Sequence, residues 1–198
     1  MKIGVTGIFA SGKGTVCLMF GELGAIVLDT DEIAREVQQP GSEGLNQIIK
    51  EFGNGILNND STLNRKALAA LVFKDPEKVY TLNRIIHPLI FKKIESAVNK
   101  KPDEIYVINT PLLFETEFYK FMDYNITVTA DLKQVIQRGI RRDNITENEI
   151  KERLNHQFSL NEKIKLADYV IDNSGNTENT KRQVLAIWMI LQQKKIKG

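Results

Sequence analysis

Glycines and a lysine near the N-terminus have the spacing of a loop that binds phosphate. Residues 7–15 read GIFASGKGT and follow a short apolar run at residues 3–5. In such a loop the glycines let backbone N–H groups converge on phosphate oxygens, and the helix that follows adds its positive end. Lys13 would bring an ammonium group to the β- and γ-phosphates. The residues that we predict to bind the triphosphate of ATP are Ala10, Ser11, Gly12, Lys13, Gly14 and Thr15.

The position after Lys13 departs from the usual pattern of such loops. A Ser or Thr hydroxyl is expected there to bind Mg²⁺, but this sequence has Gly14, which has no side chain. We expect Thr15, one residue later, to substitute in part, directly or through a water. The alternative interpretation of the whole segment is a glycine turn beside a surface lysine.

Polar residues follow the second and third predicted strands. Asp29 and Asp31 come after the apolar residues 25–28, and Asn109 ends the next strand-like segment. Ligands of open parallel sheets bind beyond the carboxyl ends of the strands, where a carboxylate could accept the proton of an attacking hydroxyl. Asp31 also precedes a helical pattern, and the spacing alone slightly favours a helix cap. Asn109 stands where an acid often helps to hold the metal, and it brings no charge.

Three arginines crowd one predicted helix. Arg138 and Arg142 are four residues apart and share a face, with Arg141 beside them. Two guanidinium groups on one face could clamp a phosphoryl group during its transfer. A solvated helix with scattered ion pairs is the alternative, and the spacing does not decide between the two.

The alternation of apolar segments and helical patterns predicts how these residues are positioned. Strands are expected at residues 2–6, 25–28, 104–109, 124–129 and 169–171, with helices between them. Strands that alternate with helices form parallel sheets, so we predict an α/β fold of three layers around a five-stranded parallel sheet. Residues 32–100 have mostly helical patterns and form a long insertion, in which Pro76 and Pro88 each suggest the start of a helix.

Composition limits the class of protein. The chain has 198 residues, a formal net charge of +2, 42% hydrophobic residues and 26% charged residues, which is ordinary for one globular domain. A single cysteine, Cys17, allows no internal disulfide and suits the reducing cytoplasm. The sequence shows no secretory signal pattern and no apolar run of about 18 residues. We therefore expect a cytoplasmic protein without membrane or nucleic-acid partners, and the oligomeric state stays open.

Several segments, in this order along nearly the whole chain, resemble the dephospho-coenzyme A kinases. The PLLFE and ADYVIDN segments are far more specific than the phosphate loop. The matching segments are SGK at 11–13, DTDEIAR at 29–35, PG at 40–41, IHPL at 86–89, PLLFE at 111–115, QR at 137–138 with RD at 142–143, and ADYVIDN at 167–173.

The resemblance implies a P-loop kinase of the nucleoside-monophosphate kinase type. Such an enzyme uses ATP and Mg²⁺ to phosphorylate the ribose 3′-hydroxyl of dephospho-CoA, giving CoA and ADP in the last step of CoA synthesis. The kinase core would comprise about residues 1–31, 104–137 and 166–198. A helical CoA-binding subregion would span about 32–103, and a lid about 138–165.

The resemblance also implies roles for the catalytic residues. Asp31 would be the general base, which replaces the helix-cap interpretation. Lys13, Arg138 and Arg142 would contact the phosphates, the two arginines once the lid closes. A closed lid would also exclude the water that would otherwise hydrolyse ATP.

Further residues are implied to bind the two substrates. Asn173 would lie near the adenine of ATP. Arg35, His87 and Leu112 would line the side that accepts dephospho-CoA, and Thr15 is the one metal ligand that the sequence suggests.

Three departures from the family pattern keep two alternatives open. Residues 8–10 read IFA where the family usually has GIG, Gly14 replaces Ser, and Asn109 replaces Asp. One alternative is a P-loop kinase for a different nucleotide acceptor. The other is a nucleotide-binding regulatory module with weakened catalysis, which Gly14 and Asn109 favour and the retained Asp31 and Lys13 oppose. The sequence offers no explanation for Phe9.

Overall fold

A parallel sheet forms the centre of the larger part of the protein. The computed structural model describes residues 1–72 and 74–197. Within that part of the chain, five strands pair in the order β2-β3-β1-β4-β5, all parallel. The strands are β1 (Lys2–Gly7), β2 (Ile26–Asp29), β3 (Tyr106–Asn109), β4 (Tyr124–Thr129) and β5 (Tyr169–Asp172). The predicted five-stranded parallel sheet is therefore confirmed.

Helices connect the strands and also form the long insertion between β2 and β3. Their bounds are α1 (Lys13–Glu22), α2 (Thr30–Glu36), α3 (Glu43–Phe52), α4 (Arg65–Val72), α5 (Pro76–Lys100), α6 (Leu132–Asp143), α7 (Glu147–Asn155), α8 (Leu160–Leu166) and α9 (Thr177–Lys197). Short 3₁₀ turns lie at Asn54–Ile56 and Phe118–Phe121.

One face of the sheet packs against α1 and α9. Ile3 and Val5 of β1 are fully buried in a cluster that contains Phe20 from α1 and Trp188 and Leu191 from α9. Because side chains alternate along a strand, every second residue of β1 faces this cluster. Trp188 therefore lies on the buried, apolar face of α9.

The opposite face of β1 is covered by the segment after β3. A Cβ added at Gly4 would lie about 3 Å from the side chains of Leu113 and Met122, so the segment approaches the backbone closely. Thr6, two residues along, donates its hydroxyl to the carbonyl of Pro111 at 3.0 Å. These contacts fix the strand that leads into the phosphate loop.

The insertion between β2 and β3 forms a second compact unit, Thr30–Lys101, which contains α2 to α5. The Ser42 side chain accepts a hydrogen bond from Leu45 N and caps α3. Asp75 caps α5, the helix against which α2, α3 and α4 pack. The helical character predicted for this insertion is present.

One local prediction for the insertion is wrong, and the helix-cap interpretation of Asp31, which the family resemblance had already replaced, does not hold either. Pro88 does not begin a helix, because α5 runs through it from Pro76 to Lys100. The helix continues because its other hydrogen bonds and its packed apolar face outweigh the one bond that the proline nitrogen cannot donate. Asp31 is not a helix cap, since α2 already begins at Thr30 and Asp31 lies within the first turn.

Within residues 1–72 and 74–197, no helix is long and apolar enough to cross a bilayer.

Candidate phosphate-transfer site

The phosphate loop has a tight backbone conformation that leads directly into α1. Ser11 N–H donates to the carbonyl of Ile8 at 3.1 Å, and Gly12, at φ +90°, precedes the first residue of the helix. A Cβ at Gly12 would overlap Asn173 Nδ2, so glycine is needed both for the backbone angle and for space. Ala10 also adopts a left-handed φ, +56°, at a position where the family resemblance leads one to expect glycine. The loop therefore holds a backbone strain at Ala10.

Two side chains that are distant in sequence donate hydrogen bonds to the backbone of the loop. Asn173 Nδ2 donates to the carbonyl of Ser11 at 2.8 Å, and Arg138 Nη1 donates to the same oxygen at 3.4 Å. Arg138 Nη2 also donates to the Asn173 carbonyl at 3.0 Å and to Gln134 Oε1 at 2.9 Å. Arg138 therefore reaches the loop in this conformation without any further movement of the predicted lid.

A cavity of about 400 Å³ lies over the loop and brings the predicted phosphate-binding groups together. Its lining is strongly cationic, and none of the described residues that line it is acidic. Arg141, which the spacing had placed beside the other two arginines, also reaches the cavity. The lining residues are Ala10, Gly12, Lys13, Gly14, Thr15, Arg138, Arg141 and Arg142. Such a surface suits a polyanion such as a triphosphate.

Arg142 is held at this cavity by a neighbouring carboxylate. Its Nε and Nη2 donate to Asp143 Oδ1 and Oδ2 at 2.8 and 2.9 Å, and Arg153 Nη1 lies 3.3 Å from Asp143 Oδ2. The hydrogen bond from Arg142 is the main reason that the pKa of Asp143 lies below its usual value, with the charges of both arginines contributing.

A carboxylate and an amide meet at the carboxyl ends of β2 and β3. Asn109 Nδ2 donates to Asp29 Oδ2 at 2.6 Å, and both residues are half-buried. No group of three or more His, Cys, Asp or Glu side chains within the described ranges is arranged to hold a metal ion. A metal bound at this site would therefore need most of its ligands from phosphates and water, which is how Mg²⁺ is commonly held in kinases.

A buried ion pair under the loop was not anticipated from the sequence. Lys163 of α8 is fully buried, and its Nζ lies 2.7 Å from Glu115 Oε1. The ammonium also donates to the carbonyl of Pro111 at 3.1 Å and to Thr6 Oγ1 at 3.5 Å. The pKa of Lys163 lies below its usual value because burial lowers it more than the neighbouring Glu115 raises it. Glu115 ends the PLLFE segment, but nothing in the local spacing points from it to residue 163.

The residues predicted for the acceptor and for proton removal lie mainly in the helical unit. Asp31 is exposed in the first turn of α2, and Arg35 is exposed in its last turn. His87 is half-buried in α5, and burial lowers its pKa. Burial and the charge of Arg35 also lower the pKa of Arg65, so these two cations lie near each other. Leu112 belongs to the sheet unit and is 38% exposed.

The parallel sheet, the phosphate loop at the end of β1 and the cationic cavity above it together define a P-loop kinase. A family model described as dephospho-CoA kinase matches residues 1–179 of the chain. The chain belongs to the dephospho-CoA kinase family.

Individual relatives agree with this assignment. The dephospho-CoA kinase of Aquifex aeolicus is 39% identical over 188 residues, 94% of this chain and 95% of that protein. That of Geobacillus kaustophilus is 40% identical over 190 residues, 94% of each chain. Among solved structures, a dephospho-CoA kinase from Campylobacter jejuni matches with a TM-score of 0.70 at 25% identity, over 98% of this chain and 99% of the other.

Proposed function

We propose that this protein transfers the γ-phosphoryl group of ATP to the ribose 3′-hydroxyl of dephospho-CoA, forming CoA and ADP in the last step of CoA synthesis. The observation that carries the proposal is a cationic cavity over a phosphate loop in a member of the dephospho-CoA kinase family. The single cysteine, Cys17, is buried and not in a disulfide, which supports our proposal of a cytoplasmic location.

The phosphate side of the reaction is assigned to the loop and α6. Loop amides and the Lys13 ammonium would bind the β- and γ-phosphates, with the positive end of α1 behind them. Arg138, Arg141 and Arg142 line the same cavity. Charge on the oxygens of the transferring group is stabilised most by donors that are already in place. Asn173 supports the loop through Ser11, and its predicted place near adenine stays a proposal.

The oxygen donors of the sheet unit fit Mg²⁺ as a partner of ATP. Thr15 offers an exposed hydroxyl at the cavity, and Asp29 offers a carboxylate at the carboxyl end of β2. Hard oxygen donors of this kind suit Mg²⁺ when phosphates and waters complete its shell. Bound there, Mg²⁺ would neutralise part of the charge on the phosphate oxygens.

Asp31 is our proposed general base. It would accept the proton as the ribose oxygen forms its bond to the γ-phosphorus and ADP leaves. Asp31 lies in the first turn of α2 and is exposed. It belongs to no candidate metal cluster among the described residues. The neighbouring cations Arg35 and Arg65 support an anionic acceptor on the helical unit, and His87 and Leu112 are proposed to line the acceptor side.

A coupled assay of ADP formation tests the proposal. We expect turnover with ATP and dephospho-CoA, and far slower turnover when AMP or adenosine replaces dephospho-CoA. Product analysis should place the new phosphate on the 3′-oxygen. Equal rates with AMP would contradict the assigned acceptor.

Asp31→Asn tests the assigned base within the same assay. We expect kcat to fall by about 10²–10⁴-fold, the usual contribution of a positioned base, while ATP binding measured by calorimetry stays unchanged. Lys13→Ala is the matched control, because it should weaken ATP binding itself. If Asp31→Asn kept the wild-type kcat, another group would have to accept the proton.

A further inference from the structure

Phe9, in the phosphate loop, touches the predicted lid at several points. The Cζ atoms of Arg142 and Arg153 each lie 5.1 Å from the centre of its ring. Its backbone N–H donates to Gln157 Oε1 at 2.9 Å. These partners belong to α6, to α7 and to the turn after α7, so one loop residue contacts two helices and a turn of the predicted lid.

The ring also has an apolar boundary that fixes its position. A Cβ at Gly139 of α6 would lie 2.9 Å from Phe9 Cε1 and 2.8 Å from Ile150 Cδ1, so α6 approaches the ring closely. Phe9 packs against the buried cluster that contains Ile150 and Val135. The ring is thus held by packing and offers its face to the arginines.

Arg142 is constrained from two directions while it lines the phosphate cavity. Asp143 accepts two hydrogen bonds from its guanidinium, and the ring of Phe9 contacts its Cζ. Arg153 shares both partners. The two positively charged guanidinium groups repel each other. The Asp143 carboxylate and the face of the Phe9 ring attract both of them and so offset part of this repulsion. Without the ring, the 60% exposed Arg142 side chain would have many more conformations.

We propose that Phe9 is a positioning residue for phosphoryl transfer, whose aromatic face holds Arg142 at the mouth of the phosphate cavity. The triphosphate then meets a guanidinium that is already ordered, so less conformational entropy is lost on binding. This proposal rests on the proposed function, because it requires Arg142 to contact the phosphates of ATP. It also gives a role to a loop residue that the sequence left unexplained.

Replacing Phe9 by Leu and by Tyr separates the aromatic face from apolar bulk. Phe9→Leu keeps a large apolar side chain beside Gly139, and Phe9→Tyr keeps the ring. We expect Phe9→Leu to lower kcat/KM for ATP about two- to fivefold, the factor that an exposed cation–π contact represents. Phe9→Tyr should retain wild-type values, and KM for dephospho-CoA should be the same in all three proteins. Equal effects of Leu and Tyr, or a wild-type kcat/KM in Phe9→Leu, would overturn the proposal.

The same replacement in an Arg142→Met background tests whether Phe9 acts through Arg142. ATP binding by calorimetry, without an acceptor, should weaken in Arg142→Met and should weaken no further when Phe9→Leu is added. If Arg142→Met weakens ATP binding but Phe9→Leu adds its full effect, the inference fails and the proposed function stands. If Arg142→Met has no effect on ATP binding, the assigned role of Arg142 and the inference fail together. Thermal unfolding of each variant identifies loss of folded protein.

Discussion

Asn109 and Asp29 are hydrogen-bonded across the ends of two neighbouring strands, with 2.6 Å between Asn109 Nδ2 and Asp29 Oδ2. The two residues are register partners in the β2–β3 pair. The amide donor holds the Asp29 carboxylate in place. The family resemblance leads one to expect Asp at position 109, and Asn109 brings no charge to the strand ends.

Adding a negative charge there by Asn109→Asp should destabilise the protein when no Mg²⁺ is present. Two carboxylates at this distance repel each other, and the donor that Asp29 now uses is lost. We expect the free energy of unfolding at pH 7 to fall by about 1–3 kcal/mol, as measured by urea unfolding in the presence of a chelator. At lower pH, where one carboxyl takes up a proton, the loss should shrink.

Mg²⁺ should offset the effect of Asn109→Asp if the strand ends help to hold the metal. With ATP and Mg²⁺ present, the variant should need less Mg²⁺ for half-maximal rate than the wild type does. Asn109→Leu is a control that removes the amide without adding charge. Should Asn109→Asp be as stable as the wild type in chelator, the two carboxylates would not share a site.

Gly14→Ser should improve the use of Mg²⁺. A Cβ at Gly14 would meet no atom within 4 Å, so a serine fits without rearrangement. Its hydroxyl would stand where related loops carry their metal ligand. We expect the Mg²⁺ concentration for half-maximal rate to fall by about tenfold, a typical effect of one group on metal affinity.

Gly14→Ala separates the hydroxyl from the effect of a side chain on α1. Because Gly14 lies in the first turn of α1, either substitution should stabilise the helix, by up to about 1 kcal/mol for Ala. Only Gly14→Ser should change the Mg²⁺ dependence of the rate. A parallel Mg²⁺ shift in Gly14→Ala would show that metal coordination is not the cause.

Much of the fold could be predicted because its signals are local. Apolar runs and helical patterns placed β1, β4 and β5 to within a residue or two. Thr146 and Glu149, at the spacing typical of a capping box, do form one at the start of α7. The phosphate loop was identifiable because it needs glycines and a lysine at fixed spacing between a strand and a helix. The arginines of α6 could be grouped by helical spacing, which is also local.

The interactions that span the chain could not be predicted in this way. Lys163 falls within the predicted lid, yet it is fully buried against Glu115, 48 residues earlier. The contacts of Phe9 with Arg142 and Arg153 likewise join segments far apart in sequence. The sequence around a residue does not show which distant residue it contacts, since burial of a charge depends on the tertiary structure. Pro88 was misjudged because packing overrode a local preference.

Acid should remove the contribution of Asp143 to stability. Its folded pKa is lowered, mainly by the hydrogen bond from Arg142, so folding favours the charged form. The contribution is therefore complete above the unfolded pKa of about 3.9 and is lost as pH falls through the lower folded pKa. We expect Asp143→Asn to be less stable than the wild type at pH 6, with the difference shrinking below about pH 4. Urea unfolding from pH 2.5 to 6 measures this, and a constant difference would contradict it.

Breaking the Lys163–Glu115 pair should lower the free energy of unfolding far more than breaking an exposed pair with the same N–O distance. Glu115→Gln leaves the fully buried Lys163 ammonium without its carboxylate, and removing one partner of a buried pair typically costs about 3–5 kcal/mol. Lys163→Met in the same background removes the buried charge as well, so the double variant should regain part of the loss. Urea unfolding of the wild type, the two single variants and the double variant gives the coupling energy.

Lys151 and Glu147 provide the matched comparison. Their atoms are also 2.7 Å apart, but both side chains are more than half exposed. Water screens this pair, so Lys151→Met should change the free energy of unfolding by at most about 1 kcal/mol. The two pairs have the same separation and differ in burial, so a much larger loss in Glu115→Gln would reflect the cost of a buried, unpaired charge. If Glu115→Gln were as mild as Lys151→Met, water or another oxygen would have to reach Lys163, and the pair would not fasten α8 beneath the phosphate loop.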